Sequence, residues 1–128
     1  MDIIITIPTN IMWEDYLKEI SAVRNGDQQM LFKVPRLPRR ANIGDRCYLC
    51  HQGKIVGFMR ITWIGFNSGF NCSTTGVHWD AGNYIARSGS FYMSCNNIEY
   101  KGFQGFRYAP VDWRYMKFQE YQGFADIK

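Results

Sequence analysis

Histidine is scarce: His51 and His78 are the only two in 128 residues. Acid–base catalysis would therefore fall to Asp, Glu, Lys or Tyr. No Ser-His-Asp pattern, phosphate-cradling glycine loop or HExxH motif appears, so no familiar catalytic constellation marks the chain as an enzyme. No stretch has the roughly 20 apolar residues of a membrane-spanning helix. The start, MDIIITIPTN, has an acid at position 2, no basic n-region and no small-residue cleavage site. The expectation is a cytoplasmic protein with no membrane association, whose thiols stay reduced. Ala and Leu are few, and neither internal repeats nor low-complexity segments occur.

Aromatic residues and glycine are what the chain has in quantity. Aromatics make up 16% and glycine numbers twelve, which leans towards strands and turns rather than a helical bundle. The length suits one domain, residues 1–128, able to bury a core without staples. The net charge of +4 is unevenly placed. Residues 33–60 hold seven basic side chains against Asp45 alone, a local charge of +6; the remainder, with eight basic and ten acidic, carries −2. Such a footprint suits phosphate or another anion; a solvated basic face has the same composition.

Hydrophobic periodicity organises the first half. IIITI at 3–7 reads as a strand ended by Pro8. Thr9 or Asn10 is placed to cap a helix whose apolar stripe is Trp13, Tyr16, Leu17 and Ile20, and Asn25-Gly26 stops it. QMLFKV at 29–34 is a second strand, and PRLPRR an extended loop stiffened by Pro35 and Pro38. The second half is harder to read. FNSGFNCSTTGVHWDAGN predicts a long loop. YIAR and FYMSC predict strands around a turn at Ser88-Gly89-Ser90, KGFQGFRY a further strand broken by Pro110, and VDWRYMKFQEYQGF either a short helix or a last strand.

CYLCH at 47–51 matches the attachment signature of a c-type haem. Its flanks oppose that reading. β-type residues lie on both sides of the two-residue turn Gln52-Gly53, a hairpin pattern. On a strand, Cys47, Leu49 and His51 point one way and Arg46, Tyr48 and Cys50 the other, so the thiols cannot both reach one haem. The spacings of Cys72, Cys95 and His78 match no zinc site. We therefore expect no cofactor and no metal, with the four cysteines serving as small buried hydrophobes and His51 as a polar residue at a hairpin end.

This arrangement resembles the PUA-like superfamily, which includes the ASCH, EVE and YTH domains. The likeness lies in Ile43-Gly44-Asp45-Arg46 opening a strand, a short turn, and the returning Gln52-Gly53-Lys54-Ile55-Val56-Gly57-Phe58, preceded by an early strand, helix and basic loop. It covers roughly residues 1–65. The resemblance implies an α+β fold: a curved, barrel-like, mainly antiparallel sheet with one or two flanking helices. It also implies nucleic acid, usually RNA or a modified base, held in a pocket beside the barrel. Some ASCH members are hydrolases using Lys, Thr and an acid. Thr6, Lys33 and Glu99 exist here, but no motif links them, and no catalytic residue is carried over.

The residues themselves supply the candidate contacts. Arg36, Arg39 and Arg40 sit in the stiff PRLPRR loop and can fork onto phosphates, supported by Lys54 and Arg60. Trp79, outside any periodic apolar segment, can stack on a base or plug the core. Trp63 alternates with Ile61 and Met59 and reads as core, and Trp113 is ambiguous. Arg87 and Arg107 are isolated bases among aromatics and glycines, a combination that suits single strands, although the glycines would equally curve a barrel. The leading expectation is a non-enzymatic module binding RNA or DNA, with or without a modified base. An ASCH-type hydrolase acting on RNA or a modified nucleoside, and a protein-binding accessory or inhibitor using exposed aromatics, are the alternatives.

Overall fold

The computed structural model describes residues 1–25, 29–72 and 76–122. The elements are β1 (Ile3–Thr6), α1 (Trp13–Asn25), β2 (Met30–Val34), β3 (Arg46–His51), β4 (Lys54–Asn71), β5 (His78–Ser94), β6 (Phe106–Tyr108), a 3-10 helix (Val111–Tyr115) and β7 (Phe118–Glu120). The strands form a strongly curled, open half-barrel in the order β2-β5-β4-β3-β1-β6, with β7 added on β5. β1 and β3 run parallel, and the other pairings are antiparallel. This is the expected α+β curved sheet. No helix among the described residues is long and apolar enough to cross a membrane.

Strand alternation gives each face of the sheet its own apolar cluster. Ile3, Ile5, Cys47, Leu49, Met59 and Ile61 pack with Tyr16, Ile20 and Val23 of α1. Ile4, Tyr48, Cys50 and Phe58 pack on the other face with Trp113 of the 3-10 helix. Cys47 and Cys50 therefore lie in different clusters, as the hairpin reading of CYLCH requires. Gln52 and Gly53 both have positive φ (51° and 80°), the geometry of a tight two-residue hairpin turn.

Several expectations need correction. The helix starts at Trp13, after a turn in which Ile11 N–H donates to the Pro8 carbonyl (3.1 Å), so neither Thr9 nor Asn10 caps it; Gly26 lies outside the described residues. The segment from 65 to 82 is not a long loop. β4 runs on to Asn71 and β5 starts at His78, so the two strands form a ribbon that pairs only with itself beyond Asn83; residues 73–75 lie outside the described residues. Ser88-Gly89-Ser90 is not a turn but an irregularity within β5, where the register shifts between Met59 and Arg60 and Gly89 takes φ 82°. KGFQGFRY yields strand only at Phe106–Tyr108, and the last segment yields both the 3-10 helix and β7. His51 is buried, not a solvated hairpin end: its Nε2 donates to the Ile11 carbonyl (3.0 Å) and its ring stacks on Trp13. Among the cysteines, Cys47 and Cys50 are buried, but Cys95 is exposed.

Asp2 ties the start of the sheet to its second face. Its buried carboxylate accepts Arg114 Nε (2.6 Å) and Nη2 (2.8 Å) and the backbone N–H of Arg46 (2.9 Å). Burial by itself raises this carboxyl, but the bonds from Arg114 and Arg46 outweigh it and hold the pKa below the usual value of 3.8. A folded pKa below the unfolded one stabilises the fold above the unfolded value, and that contribution disappears as pH falls through the folded pKa. At neutral pH Asp2→Asn should melt below the wild type. The gap should close as pH drops below about 4, because the wild type then loses the same charge. Thermal melts from pH 7 downward check this; a gap independent of pH would show that the charge on Asp2 contributes nothing.

Candidate nucleic-acid interface at the sheet seam

β2 and β6 are the two ends of the strand order, so their outer edges flank the opening of the half-barrel. The loop leaving β2 lies across this seam. Pro35 approaches Gly105 so closely that a Cβ there would stand 3.3 Å from Pro35 Cδ, and the Arg36 guanidinium lies over the Phe106 ring, 5.4 Å from its centroid. Tyr108 Oη accepts the backbone N–H of Arg40 (3.0 Å), and Asn83 Nδ2 donates to the Pro35 carbonyl (3.4 Å). These contacts hold the loop at both edges.

Between loop and sheet is a cleft of about 650 Å3 lined by Pro35, Arg36, Leu37, Arg39, Arg40, Asn83, Phe106 and Tyr108. Three arginines line it and no carboxylate does. All three are exposed, and among the described residues none of their guanidinium groups joins an ion pair. Three cations without counter-charge around an aromatic wall form an anion site with an apolar side, a combination suited to nucleotides.

The structure brings together only part of the residue set expected from sequence. Arg36, Arg39 and Arg40 converge on the cleft. Arg60 stands elsewhere, over Phe58 (5.4 Å to the centroid), and donates to the Gly44 carbonyl (3.2 Å). Arg46 lies over the same ring at 4.2 Å, and Phe58 stacks on Tyr92 (4.9 Å, 12°). Lys54 is at the hairpin end, bridged to Glu99. Arg107 is exposed over Phe103 (4.5 Å) and does not line the cleft, because alternation on β6 turns it away from its neighbours Phe106 and Tyr108. Trp79 stacks on Phe70 across the ribbon (5.7 Å, 11°). Trp63, expected in the core, is 37% exposed: a register shift between Ile61 and Trp63 inverts the alternation there. Trp113 is buried against Tyr48 and Tyr100.

Arg87 is the clearest correction. It is 2% exposed and cannot reach a nucleic acid. Its Nη1 donates to Tyr16 Oη (2.9 Å), and its Nε has no partner. Burial raises the Tyr16 phenol despite the neighbouring Arg87, and pushes the nearby Cys47 thiol up to about 12, so both stay neutral beside the cation. Cys47 is accordingly no nucleophile at physiological pH.

Sequence reasoning missed Asn83, Phe106 and Tyr108. The aromatics were visible in GFQGFRY, but only the strand register shows that they, and not Arg107, face the loop. Asn83 carried no local signal. Among the described residues no group of three His, Cys, Asp or Glu side chains is placed to hold a metal. No family model matches the chain, and neither a curated protein nor a solved structure does.

Proposed function

We propose that the protein is a nucleic-acid-binding module that holds single-stranded RNA or DNA at the seam cleft. The observation that carries this reading is the convergence of Arg36, Arg39 and Arg40, uncompensated by any lining carboxylate, around the wall made by Phe106 and Tyr108. The likeness of the β3–β4 hairpin to the PUA-like superfamily supports it, with RNA or a modified base as the family's usual ligand. The cleft lining offers no His, Cys, Lys, Asp or Glu, hence no general base suited to neutral pH, which is why binding rather than hydrolysis is proposed. Thr6 Oγ1 accepts the Phe103 N–H (3.1 Å) and Glu99 is bridged to Lys54, so neither is presented to the cleft.

Affinity for a short single-stranded oligomer should fall linearly in log K against log salt. Replacing Arg36, Arg39 and Arg40 together by Ala should weaken binding at low salt and flatten the slope by about 2, at roughly 0.7 per lost phosphate contact. Fluorescence anisotropy across a salt series checks this. No binding to any oligomer at low salt, or an unchanged slope in the triple variant, would leave the basic loop a solvated surface.

A further inference from the structure

The geometry points to Arg36 as a stacking platform for an unpaired base rather than a third phosphate contact. This inference rests on the nucleic-acid reading of the cleft and assigns its ligand class: a nucleotide whose base is free of a pairing partner. Phe106 is only 9% exposed, and its accessible side is occupied by the Arg36 guanidinium. A base entering the cleft therefore meets Arg36 before it meets the phenyl ring. A guanidinium presents a flat, delocalised surface on which bases stack, and one already laid over an aromatic ring is held in place before the ligand arrives. Base, guanidinium and ring would then form a three-layer stack.

The other cleft residues divide the remaining work. Arg39 and Arg40 follow on the same loop, separated from Arg36 by Leu37 and Pro38. Their side chains have no aromatic partner and are available to phosphate oxygens. Asn83 gives one N–H to Pro35, leaving a second N–H and its carbonyl oxygen for a base edge. A paired base cannot offer its face to Arg36, since both of its faces are covered within a duplex. The cleft should thus discriminate by strandedness.

The decisive variant is Arg36→Lys, which keeps the charge and removes the plane. Binding of a single-stranded oligomer should weaken about tenfold or more, the scale of one lost stacking contact, with the salt slope unchanged. Arg39→Ala and Arg40→Ala should each flatten the slope instead. An oligomer carrying an abasic position at the bound nucleotide should bind the wild type as weakly as Arg36→Lys binds the intact oligomer, and the two proteins should then be indistinguishable. Quenching of 2-aminopurine at that position gives a second readout, present in the wild type and lost in Arg36→Lys. The platform role is overturned if Arg36→Lys binds like the wild type, or if its deficit persists on the abasic oligomer. If the wild type binds no oligomer, the nucleic-acid reading itself falls and the platform with it.

Discussion

Gly57→Ala should destabilise the protein by about 3 kcal/mol or more, read as a lower urea midpoint at unchanged m-value. Gly57 lies inside the sheet, paired with Leu49 on β3 and Met93 on β5. A Cβ placed there would stand 2.1 Å from the Tyr92 carbonyl oxygen and 2.6 Å from Phe91 Cζ. Neither can give way cheaply: the first is backbone of a paired strand, and the second belongs to a fully buried ring. Relief requires β4 and β5 to separate, which weakens the most extensive pairing in the sheet. Gly82→Ala is the control. Its Cβ would also meet an atom at 2.6 Å, but that atom is Cε of Lys33, the far end of an exposed side chain that can swing into solvent. Gly82→Ala should stay within about 1 kcal/mol of the wild type. Equal losses at the two positions would show that the fold is limited by glycine backbone freedom and not by the approach of Tyr92.

Gly57 also shows what a sequence can and cannot disclose. Ile55-Val56-Gly57 was legible as a returning hairpin strand, because Gln52-Gly53 supplies the turn and β-type residues flank it. The need for glycine at 57 was not, since it arises from a third strand, β5, distant in the chain. The same limit explains the 65–82 segment. A strand is recognised by the face it must bury, and a ribbon paired only with itself has little to bury. Phe70 and Trp79 meet each other and Tyr84 amid Asn, Ser and Gly, so the composition imitates a loop. Trp63 was misassigned because one register shift reverses the alternation on which the inference depended. The cleft was half legible. PRLPRR displayed its charge and stiffness locally, whereas Asn83, Phe106 and Tyr108 reach it only through the curl of the sheet. Arg107 and Arg87 show the converse error, in which charge by itself was taken as exposure.

Arg87 leads to the second large effect. Removing its one hydrogen-bond partner by Tyr16→Phe should cost about 2–3 kcal/mol, because a buried guanidinium already lacking a partner at Nε then loses its contact at Nη1 as well. Arg87→Met should be far milder, within about 1 kcal/mol of the wild type. It removes a desolvated charge that no carboxylate offsets, against the loss of one bond to the Tyr16 hydroxyl. The double variant Tyr16→Phe/Arg87→Met should then match or exceed the wild type, by up to a few kcal/mol, since apolar replacement of a buried polar pair is often neutral or stabilising. The two changes are therefore expected to be strongly non-additive, with Arg87→Met rescuing Tyr16→Phe. Urea unfolding of the four proteins measures the coupling. A loss above about 3 kcal/mol in Arg87→Met would mean that the buried cation contributes to the fold through more than Tyr16. If the double variant is stable and binds oligomers as the wild type does, Arg87 is shown to have no part in the cleft, and the contacts with nucleic acid narrow to the loop that crosses the seam.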